Sequence, residues 1–306
     1  MTSRPPIALH VGFVKTATST FQKDIFPHHG GIDYLGLPAP DDGMDALIHR
    51  IAKQDSISFD AHAAADLVRD RLAGHDAGRL TLLSYENFTL YESIDKGIVA
   101  DRLHQLFAPC KIIFTLRRQE DMVRAWYLQR SSKYIIGNNM IDFDLWFRIK
   151  SEEPHKSILG DLDFNAIIHH YESLFGADNV GVFCFEKFKQ DAQAYTEELA
   201  AFLNIDAAPM VDALARAHRN PTITRRQFQF ARATADYVPN ALYRASGRLI
   251  PRKIRSKFSK RLKRSPSARI PESPAADEWI RERVAAGNRA LDARRGGLLQ
   301  AFGYSL

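Results

Sequence analysis

The stretch IALHVGFVKTATST at residues 7–20 constrains this chain more than any other. An apolar run (Ile7, Ala8, Leu9, Val11) leads into Gly12. Lys15, Thr16, Thr18, Ser19 and Thr20 follow, ahead of the helix-like segment FQKDIF. That order predicts a buried strand, a tight loop and a helix start. Backbone N–H groups at such a junction point inward, the helix dipole favours negative charge, and the hydroxyls add donors. Lys15 brings a mobile cation to the same place. The junction is suited to an anion, although ordinary N-capping by Thr and Ser would leave a similar trace.

The spacing narrows the choice. An ATP-type phosphate loop needs G-x-x-x-x-G-K-[ST]. Here two residues separate Gly12 from Lys15, and no second glycine precedes the lysine. The order G-x-x-K-T-x-T-[ST]-T instead resembles the 5′-phosphosulfate loop of sulfotransferases, commonly P-K-T-G-T-T. Those enzymes use 3′-phosphoadenosine-5′-phosphosulfate (PAPS) as donor. Val14 stands where the family usually has Pro, and Ala17 where it usually has Gly. Alanine tolerates a helical φ but not a positive one, so the loop is expected to form if Ala17 lies at the helix start.

Two further segments extend the resemblance. CKIIFTLRRQEDMVRAWYLQ (110–129) is a strand ending in Arg117-Arg118 that runs into a helix. It is similar to the family's 3′-phosphate element, L-R-[ND]-P with Ser eight residues after the arginine. Arg117 falls on that arginine, and Ala125 falls where the serine is expected. The missing contact is then absent or comes from Ser131 or Ser132. An arginine suits the role because its planar fork makes paired bonds to phosphate oxygens. NVGVFCFEKFKQDAQAYTEELAAFLNI (179–205) resembles the family's V-x-x-Y-E-D-L…F-L-G segment, with Glu186 and Asp191 read as organising the fold. The likeness covers about the first 205 residues; beyond it, RAHRNPTITRRQFQF (216–230) loosely resembles a segment that closes over the nucleotide, with Arg219 as its candidate.

Apolar runs at 7–13, 80–85, 111–116 and 180–185 read as strands, with helix-like segments between them at 61–75, 98–107, 121–134, 142–150, 163–176 and 194–205. Strands alternating with helices predict an α/β three-layer sandwich around a parallel sheet. The resemblance adds that it is of the P-loop-like sulfotransferase kind. In such sheets ligands bind at the carboxyl ends of the strands, so the loops beginning at Gly12, Ser84 and Leu116 are expected to meet in one crevice. Residues 1–240 are expected to form this domain. Residues 241–306 are expected to form a basic, mostly helical extension packed on or flanking it, with Pro-rich 265–274 as a linker and 277–294 as a final helix.

Of 306 residues, 45% are hydrophobic and 25% charged, which argues against a disordered chain. There is no run of eighteen apolar residues and no signal-type segment after Met1. The two cysteines, Cys110 and Cys184, sit in apolar runs and read as buried free thiols. The expected compartment is the cytoplasm. The net charge is +6, yet residues 244–269 hold eleven Lys or Arg and no acid, leaving the remainder at −5. Leu249, Ile250, Ile254, Phe258 and Leu262 interleave those cations at helical spacing. An amphipathic helix at the inner face of an anionic membrane, a platform for an acidic glycan, a lid over the donor and a solvated surface helix all fit. No nucleic-acid-binding motif accompanies the charge.

The resemblance implies sulfuryl transfer from PAPS to a hydroxyl or amine, with a glycan, glycolipid or other lipid, or small molecule as acceptor. Lys15 would stabilise charge on the bridging oxygen. Thr16, Ala17, Thr18, Ser19 and Thr20 would hold the 5′-phosphate, with Arg117, the Ala125 position and Arg219 around the rest of the nucleotide. No metal is required, and no ligand cluster at metal spacing occurs. The acceptor needs a general base. Glu86, just after the strand RLTLLSYENF, is the first candidate, and His10, within the first strand, is its rival. His169 and His170 lie in a helix. Trp126, Tyr127, Tyr134, Phe143, Trp146 and Phe147 line an acceptor cleft or belong to the core. Two other classes remain: a P-loop-type nucleotide-dependent kinase, and a degenerate, non-catalytic member that binds an anionic ligand or partner. The oligomeric state is left open.

Overall fold

All six residues of β1 (Ile7–Gly12) are buried, as expected of a strand covered on both faces. In the computed structural model, which describes residues 5–134, 142–217, 224–235, 261, 262 and 265–306, β1 is the centre of a five-stranded parallel sheet. The order is β2-β3-β1-β4-β5, with β2 at Ile32–Tyr34, β3 at Leu80–Ser84, β4 at Lys111–Leu116 and β5 at Val180–Cys184. Four strands coincide with the apolar runs of the sequence. The fifth, β2, is a three-residue edge with only Ile32 fully buried, too short to show a period.

Alternate side chains of the strands feed opposite layers. Ile7, Leu9, Val11, Leu83, Ile112, Phe114 and Leu116 belong to one core cluster. On that side pack α2 (Asp42–Lys53), α3 (Ala61–Leu72), α4 (Lys96–Phe107), α5 (Gln119–Tyr134), α6 (Phe143–Glu152) and α7 (Phe164–Phe175). Ala8, Leu82, Ile113 and Phe183 belong to the second cluster. It is completed by Phe21, Ile25 and Phe26 of the helical stretch that opens with α1 (Thr18–Thr20), and by α9 (Ala192–Leu203) and α10 (Ala208–Arg216). The short α8 (Phe185–Gln190) follows β5 directly. The architecture is the expected three-layer α/β sandwich.

Aspartates set many helix starts. Asp41, Asp60, Asp95, Asp163 and Asp191 each accept a backbone N–H from the first turn of the helix they precede; such a cap is worth about 1 kcal/mol. Helix α2 is absent from the segments read from sequence. Its buried Met44, Leu47, Ile48 and Ile51 nevertheless repeat at helical spacing behind Asp41.

Beyond α11 (Arg225–Ala235), the later part of the chain joins the same core: Ile280, Val284 and Leu291 of α12 (Pro274–Arg294), Leu299 of α13 (Leu298–Ala301) and Tyr304 all belong to the first cluster. The Pro-rich stretch is not a free linker. Ala268 and Ser273 are buried, Ser267 bridges Thr224, and the Pro266 carbonyl accepts from Arg225 N at 2.7 Å. Most of the basic stretch 244–269 lies outside the described residues, as does Arg219. Cys110 and Cys184 are both buried, and neither is in a disulfide. Among the described residues no helix is long and apolar enough to cross a membrane.

The chain runs from β1 to β2 and β3 on one side of it, then crosses to β4 and β5 on the other. The connections diverge between β1 and β4, and the carboxyl ends of such strands frame a crevice.

Candidate functional site

That crevice is present, a cleft of about 1030 Å³ lined from the three expected loops. From the loop after β1 come Lys15, Ala17, Thr18, Ser19 and Thr20; from the turn after β3, Glu86 and Asn87; after β4, Arg117. The turn Glu86–Thr89 lies directly against β1. A Cβ built on Gly12 would stand 2.3 Å from Thr89 Oγ1, so position 12 has no room for a side chain. This packing brings the Glu86 turn to the Lys15 loop.

The loop itself is unusual. Lys15 has φ 66° and Ala17 φ 63°, left-handed conformations that cost a non-glycine residue about 1–2 kcal/mol each. The expectation for Ala17 is half corrected. It does sit at the start of α1, but as the left-handed residue before it, where a glycine would be unstrained. Thr16 turns inward: it is buried and Oγ1 donates to the Phe13 carbonyl at 2.5 Å, which closes the loop. Behind it the backbone continues as a π-helical turn, Phe21–Ile25, a form often found at functional sites.

Across the cleft, Lys15 Nζ donates to Gln129 Oε1 of α5 at 2.9 Å. Arg117 donates from Nη1 to the Lys15 carbonyl at 3.0 Å and so braces the loop. Its guanidinium lies 5.2 Å from the Phe185 ring centroid, and its buried Nε has no hydrogen-bond partner among the described residues. Burial pushes Arg117 below its usual range, opposed by Asp121 and Glu186. A buried N–H on a permanent cation, unpaired at the edge of a cleft, is the donor an oxyanion would satisfy. Arg118 has a different task. Its Nε and Nη2 hold Asp121 at 3.1 and 2.8 Å, so the two adjacent arginines divide into one for the cleft and one for the scaffold.

Glu86 accepts from Gln22 Nε2 at 2.7 Å through Oε2. Gln22, on the π-helical turn, also donates to Ser84 Oγ at 3.1 Å, and Ser84 Oγ meets His10 Nδ1 at 2.8 Å. The two rival bases thus belong to one polar chain, at different depths. Glu86 lines the cleft. His10 is 2% exposed, and burial lowers its pKa to about 4, so it is a neutral core group without access to an acceptor. Glu186 is likewise internal, accepting from Arg118 N and Tyr304 Oη at 3.3 and 2.8 Å. Asp191 is the cap of α9.

Trp126 lines the cleft, as one of the aromatics named for it, and several other lining residues were not singled out in the sequence. Arg130 forms an ion pair with Glu92 and lies 4.6 Å from the Trp126 ring centroid. All three line the cleft, as do Gln129, Phe185, Phe188 and Lys189. Trp126, Gln129 and Arg130 are spaced three and four apart on α5, a signal legible once Arg117 fixes where that helix starts. Ala125 is on the same helix but is not among the lining side chains and offers no polar atom. Of the other aromatics, Tyr127, Phe143 and Phe147 are buried core, and Trp146 packs on it. The side chains of Ser131, Ser132 and Tyr134 lie outside the description. On α7, His169 stands beside Glu172 and His170 beside Asp101 of α4. Among the described residues no group of three or more His, Cys, Asp or Glu is placed to hold a metal ion.

No family model and no curated protein sequence matches the chain. Solved structures similar to it include a sulfotransferase from Alicyclobacillus acidocaldarius, at 18% identity and TM-score 0.49, covering 70% of this chain and 94% of that one. Mouse sulfotransferase SULT7A1 complexed with PAP is similar at 15% identity and TM-score 0.40, over 71% of this chain and 65% of that one. The sulfotransferase domain from the curacin biosynthetic pathway is similar at 15% identity and TM-score 0.41, over 67% of this chain and 76% of that one.

Proposed function

We propose that the chain is a sulfotransferase that takes a sulfuryl group from PAPS and passes it to a hydroxyl or amine. The observation that carries this reading is the junction of two elements that the sequence resemblance singled out: Arg117 is hydrogen-bonded to the Lys15 carbonyl, and both side chains line one cleft. Sulfuryl transfer needs the donor held in line with the acceptor and the leaving oxygen's charge stabilised. The loop N–H groups, Thr18, Ser19 and Thr20 fit the 5′-phosphate. The unpaired Nε of Arg117 fits the 3′-phosphate. PAPS, when bound, supplies the sulfuryl group. Lys15 then neutralises the charge that develops on the leaving oxygen.

Glu86 is the proposed base. Its Oε2 is held by Gln22, and its Oε1 has no partner among the described residues, which leaves it to take the acceptor's proton. The cleft wall of Asn87, Glu92, Trp126, Gln129 and Arg130 is polar apart from one aromatic ring and suits a hydroxyl-rich acceptor such as a glycan or glycolipid headgroup.

The test is isothermal titration with 3′-phosphoadenosine-5′-phosphate, the spent donor, beside ATP and the Lys15→Ala variant. Micromolar binding of the bisphosphate with ATP much weaker is the expected result. A well-folded protein that ignores the bisphosphate would sink the proposal and leave an anion- or partner-binding role.

A further inference from the structure

The turn that carries Arg117 is fastened from far along the chain. Gln119 and Asn288, 0% and 1% exposed, exchange amide hydrogen bonds at 2.8 and 3.3 Å. Asn288 also donates to the Ser305 carbonyl at 2.8 Å, and Ser305 Oγ donates to Glu120 Oε1 at 2.7 Å. Tyr304 Oη donates to Glu186 Oε2 at 2.8 Å, while Glu186 Oε1 accepts from the Arg118 backbone N–H at 3.3 Å. Three successive residues after Arg117 are thus tied, directly or through Glu186, to the segment 288–305.

The chain is bent back to make these contacts. Asp292 Oδ1 accepts from Leu299 N and Gln300 N at 2.6 and 3.0 Å. Gly303, with φ 70° and Arg118 Nη1 at 3.8 Å from a built Cβ, turns Tyr304 into the core. Plain anchoring of a helix needs only apolar contacts. Here buried, directional polar bonds converge on one turn, and dislodging them leaves Gln119 with only its 3.4 Å bond to the Leu162 carbonyl and takes the Tyr304 hydroxyl from Glu186 Oε2.

We infer that Tyr304 and Ser305, through Glu186, Glu120 and the Gln119–Asn288 pair, are positioning residues for Arg117, and that docking of residues 303–305 is coupled to occupancy of the 3′-phosphate site. The inference rests on the donor reading above. By linkage the coupling is reciprocal: a docked segment raises affinity for the 3′-phosphate, and a bound 3′-phosphate holds the segment down.

The experiment compares 3′-phosphoadenosine-5′-phosphate with adenosine-5′-phosphate, which lacks the 3′-phosphate, in titrations of wild type and the Tyr304→Phe/Ser305→Ala double variant. Loss of one or two buried hydrogen bonds to the turn is expected to weaken the bisphosphate about tenfold and the monophosphate less than about twofold. A general loss of structure would weaken both alike. Wild type that does not prefer the bisphosphate overturns the donor reading. Wild type that prefers it, with a folded variant showing the same preference, overturns the coupling alone. Should the variant fail to fold, hydrogen exchange on wild type decides. Slower exchange of amides 118–120 and 303–305 with the bisphosphate, but not the monophosphate, is expected, and equal exchange overturns the coupling.

Discussion

The loop at Phe13–Ala17 and the turn at Arg117–Glu120 face each other across one cleft but are built by opposite means. The loop is fixed mainly by neighbouring residues, an inward threonine that closes it and two left-handed positions, with Thr89 against Gly12 and Arg117 at the Lys15 carbonyl bracing it from outside. The turn has little local support beyond the Arg118–Asp121 pair. It is held by side chains 68 to 185 residues away. Together they show that one side of the cleft can be built from neighbouring residues while the other is held by segments far along the chain.

Four changes would break or sharpen this contrast. The largest effect is expected at the loop's functional group. Lys15→Ala should lower the sulfuryl-transfer rate by about 10²–10³-fold, the scale for losing one charge-stabilising donor, with the circular-dichroism spectrum unchanged. A single-turnover assay with PAPS checks it, and a rate within threefold would remove Lys15 from the chemistry.

The next concerns the buried polar support beneath the loop. His10 has its pKa lowered to about 4 in the fold, against about 6.5 in the unfolded chain. Between those values the unfolded state binds a proton that the folded state refuses. Stability is therefore full above about pH 6.5 and falls as pH drops toward 4, by up to about 3 kcal/mol from this one group. Urea titrations of wild type and His10→Asn across that range should show the gap between them narrowing or reversing as pH falls. A gap that is constant with pH would show that His10 is not buried neutral.

For the turn, Asn288→Leu should destabilise the fold by about 1–3 kcal/mol, because it leaves the buried Gln119 amide without its partner. The Gln119→Leu/Asn288→Leu pair should recover part of that loss, and a strictly additive double variant would mean that the two amides are independent. The smallest effect returns to the loop. Ala17→Gly should stabilise it by ~1 kcal/mol, since glycine adopts φ 63° without a Cβ clash. A lower melting temperature would show that the alanine is not strained.

Much of this arrangement was legible in the sequence because it rests on short-range patterns. The four longer strands announce themselves as apolar runs, and the Lys15 loop follows the first of them. Arg117 was likewise marked by position at a strand end. Other elements were not. The β2 edge is three residues long, below the length at which any period shows. Trp126, Gln129 and Arg130 form a face only when α5 is set against the cleft, and Glu92 enters because Arg130 reaches it. Glu86 was the first candidate base and strand-interior His10 its rival, and depth in the fold separates them.

By itself, then, the sequence determined the central parallel strands, the anion-suited loop and the arginine opposite it, because strand burial, loop chemistry and helix capping act over a few neighbouring residues. Only the tertiary structure decided that His10 is shut away from the cleft and that Glu92, Gln129 and Arg130 line it. It also decided that Tyr304 and Asn288 support a turn more than a hundred residues earlier. Those outcomes depend on desolvation and on directional bonds between distant segments, which exist only once the layers have closed.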